Sequence, residues 1–132
     1  AGTPMDFGNG KPIGHDINAD FEPLKIGKGY DPCWVIDGAE PGQLQFCAEL
    51  YAPESGRCLE IYTTQPGVQV YTGNWLSGCP AGKNGHVYED YEGVAIECQN
   101  FPDAPNKEEY PSAVLRPGEV YEQAIIFAFG IR

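Results

Sequence analysis

The chain has 132 residues, enough for one domain with a hydrophobic core and too few to argue for two. Its 17 Gly and 12 Pro leave few windows long enough for an ordinary helix, so the composition favours strands and turns. The formal net charge of −11 argues against binding to nucleic acid or to an anionic membrane surface. No apolar run is long enough to span a bilayer, and no signal peptide opens the chain.

Taken in chain order, the first thirty residues are predicted to be loop, because Gly and Pro interrupt them repeatedly. A short apolar patch at 34–36 is a candidate strand. Apolar and polar residues alternate from 44 to 50 and again from 58 to 64, which predicts two half-buried strands. The Pro-Glu-Ser-Gly turn at 53–56 joins them, so these two strands are predicted to form a hairpin.

Three further strands are predicted at 68–72, 94–98 and 120–129. The last of them is apolar on both faces, so we expect it at the centre of a sheet or covered on both sides. A helix from 121 to 129 is the competing interpretation, but β-branched and aromatic residues argue against it. The pattern therefore predicts a chain that is almost entirely antiparallel β-structure.

The cysteines and histidines show no metal-binding spacing. The five cysteines include no CxxC pair, and His15 and His86 lie far apart in the sequence. Cys47, Cys58 and Cys98 fall within predicted strands, where a free thiol behaves as a small hydrophobic side chain. We therefore expect reduced thiols, a cytoplasmic location and no zinc site.

Three polar blocks occur where predicted strands meet loops. They are Gly29-Tyr30-Asp31, the block YTTQPGVQVYTGN at 62–74, and the block GVAIECQNFPDAPN at 93–106. Together with LRPGE at 115–119, they resemble the aldose 1-epimerase family, and the resemblance runs from Gly2 to the C-terminus. It covers only the C-terminal part of the family's usual domain. It implies an antiparallel β-sandwich of the galactose mutarotase-like (supersandwich) type, with residues 1–132 forming a single C-terminal segment.

The resemblance implies an enzyme that interconverts the α and β anomers of free hexoses such as galactose or glucose, without metal or organic cofactor. A base removes the proton on O1 of the sugar, and an acid protonates the ring oxygen O5. In the family, a Glu at the position of Glu97 is the base, and a His is the acid. An Asp and a Gln at the positions of Asp31 and Gln65 hold the sugar hydroxyls. We expect Glu97 at the end of a short strand.

Each of these residues also has a structural interpretation. Glu97 follows an apolar run, where a carboxylate can form an inward ion pair or lie on an edge strand. Asp31 precedes Pro32 and is typical of a turn, and family members often have His where this chain has Pro32. Gln65 precedes Pro66, where its side chain can hydrogen-bond to the loop backbone.

The resemblance places the family's catalytic His in the N-terminal part, and neither His15 nor His86 lies in a matching motif. The active enzyme is thus expected to need that part, as a separate chain or a lost segment. A partial sandwich also leaves open sheet edges, so we expect the chain to pair with it or to self-associate. The alternative function is an inactive homologue or a carbohydrate-binding β-sandwich that lacks the catalytic acid.

Overall fold

The computed structural model describes residues 2–132, and its regular structure is almost entirely strand. The strands are β1 (Cys33–Val35), β2 (Gln45–Ala52), β3 (Arg57–Thr63), β4 (Gly67–Tyr71), β5 (Ala95–Gln99) and β6 (Ile125–Ile131). One short helix, α1 (Glu22–Gly27), and the 3-10 segments Ile13–His15, Lys83–Gly85 and Ala104–Asn106 complete the elements of the described residues. The predicted all-β class is confirmed. Between residues 2 and 132, no helix has the length and apolar character needed to cross a membrane.

The six strands form two three-stranded sheets, in the orders β1-β4-β5 and β2-β3-β6. In the second sheet both strand pairs are antiparallel: β2 pairs with β3, and β3 pairs with β6. The register of β2 against β3 shifts between Phe46 and Ala48, as expected for a β-bulge at Cys47. The chain divides into two compact units, Ala1–Pro32 with Gln69–Ile96 and Cys33–Val68 with Glu97–Arg132.

The first unit contains the helix that the sequence did not predict. Pro23 lies in its first turn and Gly27 is its last residue, and both positions are compatible with a helix. Lys28 ends it in the left-handed conformation, with φ of 57°, and donates its backbone N–H to the carbonyl of Leu24. The side chain of Leu24 is buried and anchors α1 in this unit. The prediction that the first thirty residues are loop was therefore wrong at α1.

The second unit contains the predicted hairpin of β2 and β3, which is confirmed. The connecting turn closes where Gly56 N–H donates to the carbonyl of Ala52 at 2.9 Å. Gly56 has a φ of +70°, a conformation in which glycine carries no steric cost. Ile61, in the central strand β3, is fully buried and forms the middle of this unit's core. The other buried apolar side chains of the unit are Ile36, Cys58, Val68 and Ala104.

The prediction for the last strand was wrong in two respects. β6 begins at Ile125, which pairs with Thr63 at the end of β3, instead of at residue 120. It is also an edge strand, and all seven of its residues are exposed, including Phe129 at 81% and Ile131 at 82%. An apolar strand therefore lies uncovered within the part of the chain that the structure describes.

Candidate active site

Glu97 is the third of the five residues of β5, so the prediction that it lies at a strand end was wrong. It is the one exposed residue in a strand whose other members are half-buried. Within residues 2–132, no hydrogen bond or ion pair reaches its carboxylate. The inward ion pair is thus absent from the described residues, whereas β5 does lie at the edge of its sheet. An accessible carboxylate without a partner is able to accept a proton from a bound hydroxyl.

Gln65 lies two residues before β4 and is only 5% exposed. Its backbone N–H donates to Oγ1 of Thr63 at 3.0 Å. Its side-chain Nε2 donates to the hydroxyl of Tyr121 at 2.7 Å instead of to the loop backbone. Its Oε1 atom is buried and has no hydrogen-bond partner in the described residues. A buried acceptor without a donor is destabilising, so this oxygen marks a place where a donor is missing.

Two of the three predicted site residues, Gln65 and Glu97, belong to the second unit and lie just before or within neighbouring strands. Gln65 leads into β4, Glu97 lies in β5, and these strands are adjacent in the order β1-β4-β5. The sequence placed these residues more than thirty positions apart and assigned them to the same site only through the family resemblance. Asp31 belongs to the first unit.

Asp31 is exposed, and its Oδ1 accepts a hydrogen bond from Nε2 of Gln69 at 3.0 Å. Backbone hydrogen bonds lie on both sides of it: Thr72 N–H donates to the carbonyl of Tyr30, and Val70 N–H donates to that of Pro32. Asp31 is therefore held in a segment bonded along residues 70–72. One of its oxygens is committed to Gln69, and the other is available for a ligand hydroxyl.

A buried polar network fixes the backbone just before Asp31. Nδ2 of Asn74 donates to the carbonyls of Gly27 and Tyr30, at 2.8 and 3.0 Å, and the hydroxyl of Thr72 donates to Oδ1 of Asn74 at 2.6 Å. Gly29 has a φ of +142°, and a Cβ there would lie 2.4 Å from Oδ1 of Asn74. Glycine is thus required at this position. The network explains the Gly-Tyr-Asp and Tyr-Thr-Gly-Asn blocks as partners in one structure, a role that the sequence did not reveal.

Both histidines contact carboxylates of the first unit. Nδ1 of His15 lies 2.7 Å from Asp16, and Nε2 of His86 lies 2.9 Å from Glu92. The hydrogen bond from His86 lowers the pKa of the Glu92 carboxyl. The side chain of His86 is exposed. Each histidine therefore has a local carboxylate partner within its own unit.

The five cysteines are free thiols. Burial raises the pKa of Cys47 to about 12, with the neighbouring thiol of Cys98 contributing in the same direction. Burial likewise raises the pKa of Cys33. Since a thiolate is the nucleophilic form, Cys47 and Cys33 are neutral and unreactive near pH 7.

The chain was compared with known proteins. The family model described as aldose 1-epimerase matches residues 1–128. The chain is 43% identical over 118 residues to the galactose mutarotase of Homo sapiens, covering 83% of this chain and 34% of that protein. It is 35% identical over 131 residues to the aldose 1-epimerase of Escherichia coli (strain K12), covering 98% and 37%. A crystal structure of a GalM/aldose epimerase homologue from C. elegans superposes with a TM-score of 0.68 at 32% identity, over 77% of this chain and 30% of that one.

These matches confirm the resemblance that the motifs indicated. The chain spans about a third of the length of the curated relatives it matches. The chain therefore matches only a part of these relatives.

Proposed function

The chain belongs to the aldose 1-epimerase family, and on this basis we propose that it supplies the catalytic base of an aldose 1-epimerase acting on free hexoses such as galactose or glucose. The observation that carries the proposal is the state of Glu97: an exposed carboxylate in a half-buried strand, with no partner in residues 2–132. An exposed carboxylate is solvated by water, and without a counter-ion or hydrogen-bond partner it is accessible to a sugar hydroxyl.

In the proposed reaction, Glu97 removes the proton from the anomeric O1 hydroxyl while the bond between C1 and the ring oxygen O5 breaks. An acid donates a proton to O5, which leaves an open-chain aldehyde. Rotation about the C1–C2 bond presents the other face of the aldehyde, and O5 attacks C1 again while the O5 hydroxyl returns its proton to the conjugate base of the acid. Glu97 then returns its proton to O1, so the same carboxylate acts as base and as acid within one turnover.

Gln65 and Asp31 are proposed to hold the sugar hydroxyls. The support for Gln65 is its buried Oε1, which has no donor among the described residues and is matched by the donor capacity of a hydroxyl. The support for Asp31 is its exposed carboxylate, which the hydrogen bond from Gln69 keeps in one orientation. Positioning of this kind lowers the barrier because the reacting atoms are already aligned with the base.

We propose that residues 1–132 are the C-terminal segment of the fold. The N-terminal part of the same fold then supplies the catalytic acid and the structure that covers the exposed strand β6. Neither His15 nor His86 lies in a motif that matches the family's catalytic His, which supports an external acid. The exposed apolar edge strand β6 supports an external cover. The free thiols fit a reducing compartment, so we place the proposed enzyme in the cytoplasm.

The experiment is a chimaera in which these 132 residues replace the matching third of human galactose mutarotase. Its activity is followed by polarimetry of freshly dissolved α-galactose, whose optical rotation changes as the anomers equilibrate. Glu97→Gln keeps the size of the side chain and removes the basic carboxylate. We expect kcat to fall by about 10²–10⁴-fold, with a smaller change in KM.

Glu54→Gln is the matched control, because Glu54 is exposed in the hairpin turn of the same unit. This variant is expected to equilibrate galactose at the parent rate. Equal rates for Glu97→Gln and the parent chimaera would show that Glu97 is not the base. A chimaera that binds galactose without equilibrating its anomers would support the binding or inactive homologue instead.

A further inference from the structure

The side-chain amide of Gln65 is hydrogen-bonded to Tyr121, which lies outside the family motifs. We propose that Tyr121 is a positioning residue for the sugar site: its hydroxyl fixes the Gln65 carboxamide so that the buried oxygen accepts a hydrogen bond from a sugar hydroxyl. The inference rests on the proposed function and names the residue that supports one of its contacts. Tyr121 lies 56 residues from Gln65 in the sequence, and both belong to the second unit.

The side-chain oxygen of Gln65 is a buried acceptor without a hydrogen-bond donor among the described residues. Among the described residues, two buried side-chain atoms lack a hydrogen-bond partner, Nε2 of Gln45 and Oε1 of Gln65. Nε2 of Gln65 is already bonded to Tyr121, so the unsatisfied atom is an acceptor. A sugar hydroxyl is a suitable partner because it donates one hydrogen bond and is small enough to reach a confined site.

The chain segment that contains Tyr121 is hydrogen-bonded to the residue beside Gln65. Thr64, the residue next to Gln65, is hydrogen-bonded to the segment that follows Tyr121. Its Oγ1 donates to Oε1 of Gln123 at 2.5 Å, Ala124 N–H donates to the same Oγ1 at 2.9 Å, and Thr64 N–H donates to the Ala124 carbonyl at 3.1 Å. The position of the tyrosine hydroxyl is therefore tied to the backbone beside Gln65.

The exposure of Tyr121 distinguishes a residue that positions Gln65 from one that only packs in a core. The side chain of Tyr121 is 58% exposed, so its ring contributes little to a core. Tyr121→Phe removes the hydroxyl and keeps the ring. If the residue were only a packing element, this change would leave the carboxamide of Gln65 and the affinity for sugar unaltered.

The kinetic test uses the chimaera described above and measures KM and kcat for galactose separately. Tyr121→Phe is expected to raise KM by about 3- to 10-fold, the effect of one lost hydrogen bond, with a smaller change in kcat. In a Gln65→Ala background the same substitution is expected to have no further effect, because the two residues act as one unit. Tyr51→Phe, at an exposed tyrosine of β2, is the control and should match the parent.

A second measurement on the 132-residue chain does not require activity. Nuclear magnetic resonance follows the hydrogen exchange of the Gln65 side-chain amide, with and without galactose. In the parent this amide is expected to exchange slowly and to shift on addition of galactose; in Tyr121→Phe it should exchange faster and lose the shift. An unchanged amide in Tyr121→Phe overturns the inference, and so does a changed amide combined with unchanged KM.

The two proposals fail in different ways. A chimaera that is inactive with Glu97 intact contradicts the proposed function, and the galactose-dependent shift of the Gln65 amide then decides the role of Tyr121. Absence of that shift in the parent chain overturns the positioning role. An active chimaera in which Tyr121→Phe and Tyr51→Phe are both indistinguishable from the parent overturns the positioning role alone.

Discussion

The two units differ in whether their buried polar side chains all have hydrogen-bond partners. In the first, the buried side chains of Thr72 and Asn74 hydrogen-bond to each other and to the backbone around Tyr30. In the second, both orphaned atoms of the described residues occur, on Gln45 and Gln65. Polar groups that satisfy each other stabilise a structure, whereas an unsatisfied one is retained at a cost. The buried polar groups of the first unit therefore stabilise its fold, whereas the second unit retains two side-chain atoms whose hydrogen-bonding capacity is unused among the described residues.

Asn74→Leu tests the first half of that comparison and should have the largest effect on stability. It removes the donor to the carbonyls of Gly27 and Tyr30 and the acceptor of the Thr72 hydroxyl. We expect the free energy of unfolding to fall by about 2–5 kcal/mol, since each unsatisfied buried group costs about 1–3 kcal/mol. Urea unfolding measures it. A loss below about 0.5 kcal/mol would mean that the network does not stabilise this unit.

Gln65→Met tests the second half and should have a much smaller effect. The substitution removes the orphaned Oε1, which is favourable, and the hydrogen bond to Tyr121, which is unfavourable. The two contributions are of similar size, so we expect the free energy of unfolding to stay within about 1 kcal/mol of the parent. A loss as large as that of Asn74→Leu would show that Gln65 serves the fold, and the contrast between the units would disappear.

Phe129→Lys examines the uncovered strand of the second unit. Phe129 is 81% exposed on the edge strand β6, so the substitution should change the free energy of unfolding by less than about 0.5 kcal/mol. A charge on an edge strand opposes further pairing. In ultracentrifugation we therefore expect the parent to sediment above its 14.4 kDa monomer mass and the variant to shift toward the monomer.

Val120→Lys is the control for that experiment, because Val120 is 86% exposed and precedes the strand. It should leave the association unchanged. Equal effects of the two lysines would assign the association to general apolar exposure instead of strand pairing. A parent chain that is monomeric and unfolds cooperatively would contradict the expectation that β6 needs a cover.

Much of this fold was predictable wherever the determinants are local. The hairpin of β2 and β3 follows from alternating residues and a turn of four residues, all within one short stretch. The start and the exposure of β6 were not predictable in the same way. At the start of the strand, Ala124 is hydrogen-bonded to Thr64, which is 60 residues away in the sequence. The exposure depends on what else covers the strand, whereas an apolar pattern shows only that a strand is suited to being covered.

The same distinction between local and long-range determinants applies to the candidate site. Glu97, Asp31 and Gln65 were identified by resemblance, since a single Glu or Gln in an apolar strand or a loop indicates no particular chemistry. The hydrogen-bond partners around these residues could not be predicted from the sequence. No local spacing relates Gln65 to Tyr121, and nothing in the Tyr-Thr-Gly-Asn block indicated that Asn74 reaches Gly27 and Tyr30.

The smallest effect is expected at the surface of the first unit, where Lys28 binds Asp90. The hydrogen bond from Lys28 is the largest of the contributions that lower the pKa of Asp90 to about 2. A carboxyl with a lowered folded-state pKa stabilises the fold above its unfolded pKa of about 3.9, and the contribution is lost as the pH falls toward 2. Lys28→Met should therefore raise the pKa of Asp90 and reduce the acid dependence of stability between about pH 4 and pH 2. The Lys28 side chain is exposed and the Asp90 side chain is partly exposed, so the effect should shrink further in 1 M salt. Carboxyl chemical shifts of Asp90 across this range check the prediction, and an unchanged midpoint in Lys28→Met would assign the low pKa to the Ser77 hydrogen bonds instead.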